Sequence, residues 1–168
     1  MKILLTFIGN FCLNQNSRLK QYTPPLGISV LSSFLKKHGY QTQLIDLRLL
    51  PNVGEFNQYI KKFRPDVIGF SLLTSEVELG ISVINFVSKN HPSIKIIIGG
   101  PHATVCPNES AQIPGVLAVI VGEGELILLN LLKAIKSRRS LATVRGIYFQ
   151  KHQQIISTPP ERFIHDLD

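Results

Sequence analysis

Cysteine is scarce in this sequence: Cys12 and Cys106 are the two in 168 residues. Two thiols make no disulfide framework, so a reducing cytoplasm is the expected setting. Both cysteines fall in expected loops after strands. They read as incidental free thiols rather than a metal pair, because two ligands do not complete a site, and no metal ligands are assigned. Long apolar runs are missing as well, and none reaches membrane-spanning length. The amino terminus, Met1–Gly9, is apolar but short and lacks a small-residue cleavage site. It reads as a strand and not as a signal peptide.

Signatures of several enzyme classes are also absent. There is no nucleophile elbow with Ser, His and Asp in order and no His-Glu-x-x-His. Neither a Gly-x-x-x-x-Gly-Lys-[Ser/Thr] phosphate loop nor a complete Gly-x-Gly-x-x-Gly occurs. No catalytic residue is assigned on this basis. Charged residues make up 17% of the chain and apolar ones 44%, a globular and not a disordered composition. The net charge of +7 comes from 18 basic and 11 acidic residues. Such an excess admits a nucleic-acid or acidic partner. The basic residues are scattered, however, and most stand near the ends of expected helices, where cations favour the helix dipole. With no basic stripe interleaved with aromatics, no nucleic-acid partner is expected.

What the chain does contain is centred on Ile94-Lys-Ile-Ile-Ile-Gly-Gly-Pro-His102. Its isoleucines suit a strand buried on both faces, as in a parallel sheet. Gly99-Gly100 ends that strand and allows a ligand to approach the backbone; taken alone, the pair reads as a tight turn without a ligand, and the functional reading rests on the neighbouring strand ends. Strands are expected at Lys2–Ile8, Thr42–Asp46, Asp66–Ser71, Ile94–Ile98 and Val116–Val121. Helices are expected at Gly27–His38, Glu55–Phe63, Glu76–Asn90 and Leu126–Lys136. In the first helix Ile28, Leu31 and Leu35 form the apolar stripe, widened by Val30 and Phe34; in the third, Val77, Ile81, Ile84 and Val87 face inward. Pro101–Gly115 reads as a loop with one helical turn. The alternation predicts an α/β fold, a doubly wound parallel five-stranded sheet of flavodoxin-like or Rossmann-like type with the first strand central. Val144–Phe149 and Gln154–Thr158 predict a small C-terminal β-hairpin. The expected organisation is a domain at 1–143, then hairpin and linker at 144–168.

Gly9-Asn10, Ser71-Leu-Leu-Thr74, Gly99-Gly-Pro-His102 and Gly122-Glu-Gly124 each follow an expected strand. A parallel sheet brings all of these exits to one edge, where ligands bind in open α/β sheets. Small residues, hydroxyls and main-chain N–H groups there suit a long ligand with a polar tail. His102 admits a ligand contact or a bond to a loop carbonyl. Glu123 admits a ligand contact or service as a first-turn acid on the helix dipole.

Ser71-Leu72-Leu73, Gly99-Gly100 and Val121-Gly-Glu-Gly-Glu125 resemble the cobalamin-binding domain family. Pro24-Pro-Leu-Gly27 and Gly99-Gly-Pro-His-Ala-Thr104 resemble one branch, the amino-terminal domains of cobalamin-dependent radical S-adenosylmethionine enzymes. Ile164–Asp168 is similar to the linker into their radical domain. The resemblance implies cobalamin held by Gly9, Asn10, Ser71, Leu73, Thr74, Gly99, Gly100, Pro101, His102, Gly122, Glu123 and Gly124. Ser71 and Thr74 would bond the nucleotide tail, Gly99 and Gly100 let it pass, and Gly122–Gly124 wrap its end. The corrin would lie near Gly9–Cys12 and Leu26. It further implies S-adenosylmethionine and a [4Fe-4S] cluster in a radical domain of the same chain, acting on a small-molecule substrate by methyl transfer or a related radical reaction. The cluster needs Cys-x-x-x-Cys-x-x-Cys, which these residues lack. Many cobalamin domains carry Asp-x-His-x-x-Gly after the first strand. Here the loop reads Gly9-Asn-Phe-Cys-Leu-Asn-Gln-Asn16 without histidine, which implies base-off cobalamin. The alternative is a flavodoxin-like flavin- or nucleotide-binding module. A phosphorelay receiver lacks the required acids after the first strand and Lys after the fifth.

Overall fold

The most apolar short runs of the chain become the centre of the sheet. A computed structural model describes residues 1–9 and 24–161. Strand β1 (Lys2–Phe7) is flanked by β2 (Gln41–Asp46) and β3 (Val67–Ser71), followed outward by β4 (Lys95–Gly99) and β5 (Val116–Ile120). These pair in parallel, in the order β2-β1-β3-β4-β5. The first strand lies inside the sheet, one in from the β2 edge, and its Ile3 and Leu4 are fully buried.

Side chains alternate along each strand, so the sheet sends its residues to two separate cores. Leu4, Ile68, Phe70, Ile96, Ile98 and Val119 face α2 (Val53–Phe63) and α3 (Val77–Asn90). Ile3, Leu5, Val67, Ile97, Ala118 and Ile120 face α1 (Leu26–Lys37) and α6 (Gly124–Lys136). Helices on both faces make the sheet doubly wound. Two helical stripes differ from expectation. In α1 the inward residues are Ile28, Ser32 and Leu35, while Val30 is 52% exposed. Ser32 Oγ pairs with Thr42 Oγ1 at 2.8 Å, so a hydroxyl pair joins α1 to β2. In α3 Gly80, Val83, Ile84 and Val87 are buried, and Val77 and Ile81 stand at the margin.

The segment read as a loop after β4 folds instead into α4 (Pro101–Val105) and α5 (Pro107–Gln112). Each opens on proline, whose fixed φ suits the first helical turn and whose missing N–H costs nothing there. Ala103 and Ala111 anchor the pair in the core beneath.

The C-terminal hairpin, β6 (Ile147–Lys151) and β7 (Gln154–Ser157), does not stand apart. It pairs antiparallel with β5 and extends the sheet to seven strands. Its turn is tighter than the four residues the sequence suggests: His152 and Gln153 take φ of 49° and 65°. Two successive positive φ values give a turn whose twist matches that of paired strands.

Candidate ligand slot at the carboxyl ends of the parallel strands

The α1/α6 side of the sheet loses its side chains near the carboxyl ends of β3 and β4. Register places Leu5 beside Gly69 and Gly69 beside Ile97. Two residues on, Ser71 stands beside Gly99. Three neighbouring positions on one face are thus bare or carry only a hydroxymethyl group. Gly27, Ile28 and Leu31 of α1 and Gly124 and Leu128 of α6 form the opposite wall. Between the walls lies a cavity of about 290 Å³. Its mouth is framed by Gly100, Pro101, Gly122 and Glu123.

Each glycine contributes in its own way. A Cβ on Gly99 would meet nothing nearer than Ile120 Cβ at 3.9 Å, so the missing side chain leaves room and not a clash. Gly100 is different. It sits at φ 96°, ψ −177°, a conformation nearly confined to glycine. A Cβ there would approach Ser71 Oγ to 2.8 Å and Leu72 N to 3.0 Å.

Hydrogen bonds tie the three strand exits together. Leu72 N–H donates to Gly99 C=O at 3.0 Å, and His102 N–H donates to Leu72 C=O at 3.1 Å. Thr104 Oγ1–H donates to Gly100 C=O at 3.1 Å and accepts from Gly122 N–H at 3.2 Å. The slot mouth is therefore held by main-chain bonds and one hydroxyl, a preformed arrangement.

Of the residues expected to hold a ligand, Ser71, Gly99, Gly100, Pro101, Gly122, Glu123 and Gly124 line this slot. Leu73, Thr74 and His102 are not among its walls. His102 is 2% exposed, and its Nδ1 pairs with Thr74 Oγ1 at 3.3 Å. Gly9 lies against Arg48, a guanidinium that is paired with Asp46 at 2.6 Å and sits over the Phe7 ring. The Gly9 main chain also bonds Glu76, whose burial pushes its carboxyl above the usual range. That bond and the Arg48 charge oppose the rise, while the Asp46 charge adds to it. Asn10 and Cys12 lie outside the described residues.

Leu5, Gly27 and Gly69 are wall residues absent from the expected ligand set, although Gly27 belongs to the Pro24–Gly27 phrase. For Gly69 a signal is present, since a glycine inside an apolar strand marks a close approach of backbone or ligand. A second depression, about 590 Å³, opens among Lys61, Arg64 and His91. Ile60, Pro65 and Ile94 share its wall with these polar side chains, and it has no residue in common with the strand exits.

A model of the B12 binding domain family matches residues 16–132. The chain belongs to that family. This B12-binding domain is 29% identical over 147 residues to an uncharacterised methyltransferase of Pyrococcus horikoshii, covering 86% of the chain and 32% of that protein. It is 29% identical over 153 residues to the anaerobic magnesium-protoporphyrin IX monomethyl ester cyclase of Rubrivivax gelatinosus, covering 86% of the chain and 27% of the cyclase. Among solved structures it superposes on the cobalamin-dependent S-adenosylmethionine radical enzyme OxsB, solved with aqua-cobalamin and S-adenosylmethionine bound. The TM-score is 0.81 at 21% identity, over 96% of this chain and 22% of OxsB. The radical S-adenosylmethionine methyltransferase TsrM of Kitasatospora setae, with cobalamin and a [4Fe-4S] cluster bound, gives 0.80 at 17% identity, over 99% of this chain and 30% of TsrM. These two likenesses establish the shared fold. The chain thus spans less than a third of the length of each of these proteins.

The slot fits the family's cofactor. Side chains at 69 and 99 would fill it, and none is there. Its volume lies at the low end for a small-molecule site, room for a slender arm but not for a whole corrinoid. Among the described residues no helix is long and apolar enough to cross a membrane.

Proposed function

We propose that this B12-binding domain holds base-off cobalamin for a larger radical S-adenosylmethionine enzyme of the methyltransferase or cyclase type. The observation that carries this reading is the slot itself. Gly69, Ser71 and Gly99 leave a channel between sheet and helices, and its mouth stands at the strand exits. Ser71 would bond the nucleotide tail, Gly99 and Gly100 would let it lie against the backbone, and Gly122–Gly124 would close around its end. The corrin would rest outside, over Leu26 and the strand ends, where Leu26 is 69% exposed. When bound, cobalamin supplies a cobalt centre able to carry a methyl group.

Support for the base-off state is where the histidines are. The sequence has none before His38. His38 stands at the C-terminal end of α1, with Nδ1 on Phe34 C=O at 2.9 Å. Among the described residues no histidine lines the slot. The radical domain, its [4Fe-4S] cluster and S-adenosylmethionine belong to the remainder of the protein, in the same chain and in the cytoplasm. Support for the further domain is the length of the relatives, of which the chain matches less than a third.

Titrating the 168-residue chain with hydroxocobalamin tests the reading. A saturable shift in the visible spectrum is expected, with the cofactor retained through gel filtration. No shift, or uptake of flavin instead, would overturn it. Cobalt should carry neither its own base nor a histidine below, so the cobalt(II) form should show no nitrogen superhyperfine splitting in its electron paramagnetic resonance spectrum; splitting would exclude a cobalt free of any nitrogen lower ligand.

A further inference from the structure

The helical folding of Pro101–Gln112 has a chemical consequence away from the slot. The α-type hydrogen bonding runs through the junction of α4 and α5: Cys106 N–H donates to His102 C=O at 2.8 Å, and Ser110 N–H to Cys106 C=O at 3.0 Å. Cys106 itself stands outside helical geometry, at φ −122° and ψ 57°, and the two short helices that meet there bring residues 102, 106 and 109 together. A ring nitrogen of His102, Cys106 Sγ and a carboxylate oxygen of Glu109 lie within 4.8 Å of one another.

We propose that His102, Cys106 and Glu109 form a binding site for a thiophilic divalent cation, Zn²⁺ being the fitting species. The ring of His102 carries the argument. Thr74 Oγ1 engages Nδ1, and Nε2 is buried without a hydrogen-bond partner among the described residues. The Thr74 hydroxyl can accept from Nδ1–H, and in that tautomer the lone pair is on Nε2, the arrangement that ligating histidines share and that a bound metal would select. A buried nitrogen with an unused lone pair is costly, and a metal bond removes that cost. Cys106 is half-buried and unpaired in any disulfide, and Glu109 is exposed and free to swing inward.

The donor set is chemically consistent. Nitrogen, thiolate and carboxylate suit zinc, and three protein ligands leave a fourth position for water. Thiolate and carboxylate together neutralise the cation, which favours a site bordering the core. Cys106 loses its thiol proton to solvent as the metal binds. Tetrahedral bonds of about 2.0–2.3 Å bring donor atoms to roughly 3.5 Å from one another, so a rotation of Cys106 and Glu109 closes the site. Cys12, the other thiol, is not needed. The site lies beyond Gly100, and through Thr74 the metal would clamp α4 to the β3 exit. It does not depend on the cobalamin reading.

The test titrates Co²⁺ into the cobalamin-free 168-residue chain and follows the thiolate-to-cobalt charge-transfer absorbance. One equivalent should bind, displaced by Zn²⁺. The charge-transfer band should vanish in Cys106→Ser and persist in Cys12→Ser. Glu109→Gln should weaken binding, and Thr74→Ala should weaken it by about 10-fold or more through loss of ring orientation. Cys106→Ser should still take up hydroxocobalamin, which shows that the variant folds and separates this site from the slot. Absence of the band in the parent chain, or a band that survives Cys106→Ser and disappears in Cys12→Ser, would overturn the proposal.

Discussion

The two faces of one sheet behave as different materials here. On the α2/α3 face the strands present Ile68, Phe70, Ile96 and Ile98, all nearly or fully buried in one core with Phe56, Ile60, Ile84 and Val87. One residue along, the same strands turn Gly69, Ser71 and Gly99 to the α1/α6 face, and a slot opens. The contrast follows from the two-residue period of a strand, which lets adjacent positions serve stability and binding independently. Substitutions can set one face against the other.

The largest effect belongs to the packed face. Phe56→Ala should cost about 3–5 kcal/mol of stability, because a buried ring leaves a cavity that its neighbours fill only in part. Phe56 is fully buried and meets Phe70 edge-on at 6.5 Å. Denaturant unfolding measures the loss. Under conditions where the variant is folded, cobalamin affinity should be unchanged, since Phe56 does not line the slot.

Gly100→Ala comes next and strikes where the faces join. The new Cβ meets Ser71 and Leu72 in a backbone conformation that disfavours it, at a cost of about 1–3 kcal/mol. Both the unfolding midpoint and cobalamin uptake should fall. Gly99→Val separates the two properties. Its Cβ has space, so stability should change by less than about 1 kcal/mol, while the slot fills and cobalamin affinity drops by about 10-fold or more. Equal affinity in that variant would remove the slot from the site.

The smallest effect concerns Glu76, at the head of α3. Its folded pKa is raised, chiefly by burial. A raised value means the contribution to stability is full below the ordinary carboxylate pKa and is lost as pH rises through the folded value. Glu76→Gln should therefore gain on the parent as pH climbs through that window and hold a constant difference on either side of it. Urea unfolding at a series of pH values checks the sign.

Much of this was legible before folding. The apolar runs and the breaks at Gly39, Pro65 and His91-Pro92 are local features, and they mark the elements to within a few residues. Gly99-Gly100 announced a bare strand end. The partners of that strand end were less visible. Gly69 reads as one more residue of Asp66–Ser71 until register sets it beside Leu5 and Ile97. His102 follows the glycines directly in sequence, yet Pro101 starts a helix and carries its ring to Thr74 instead of the slot. Val30 belonged to the apolar stripe by type, though only Ile28 and Leu35 of that set are buried in α1.

Periodicity and punctuation along the chain were enough to specify parallel strands with helices between them, and the edge at which a ligand would enter, because both arise from short-range geometry. Which small residues share a wall, which histidine is turned away, and whether Cys106 has neighbours fit to hold a metal are matters of register and helix phase. Those depend on contacts between residues far apart in the chain, and only the packed sheet brings them together.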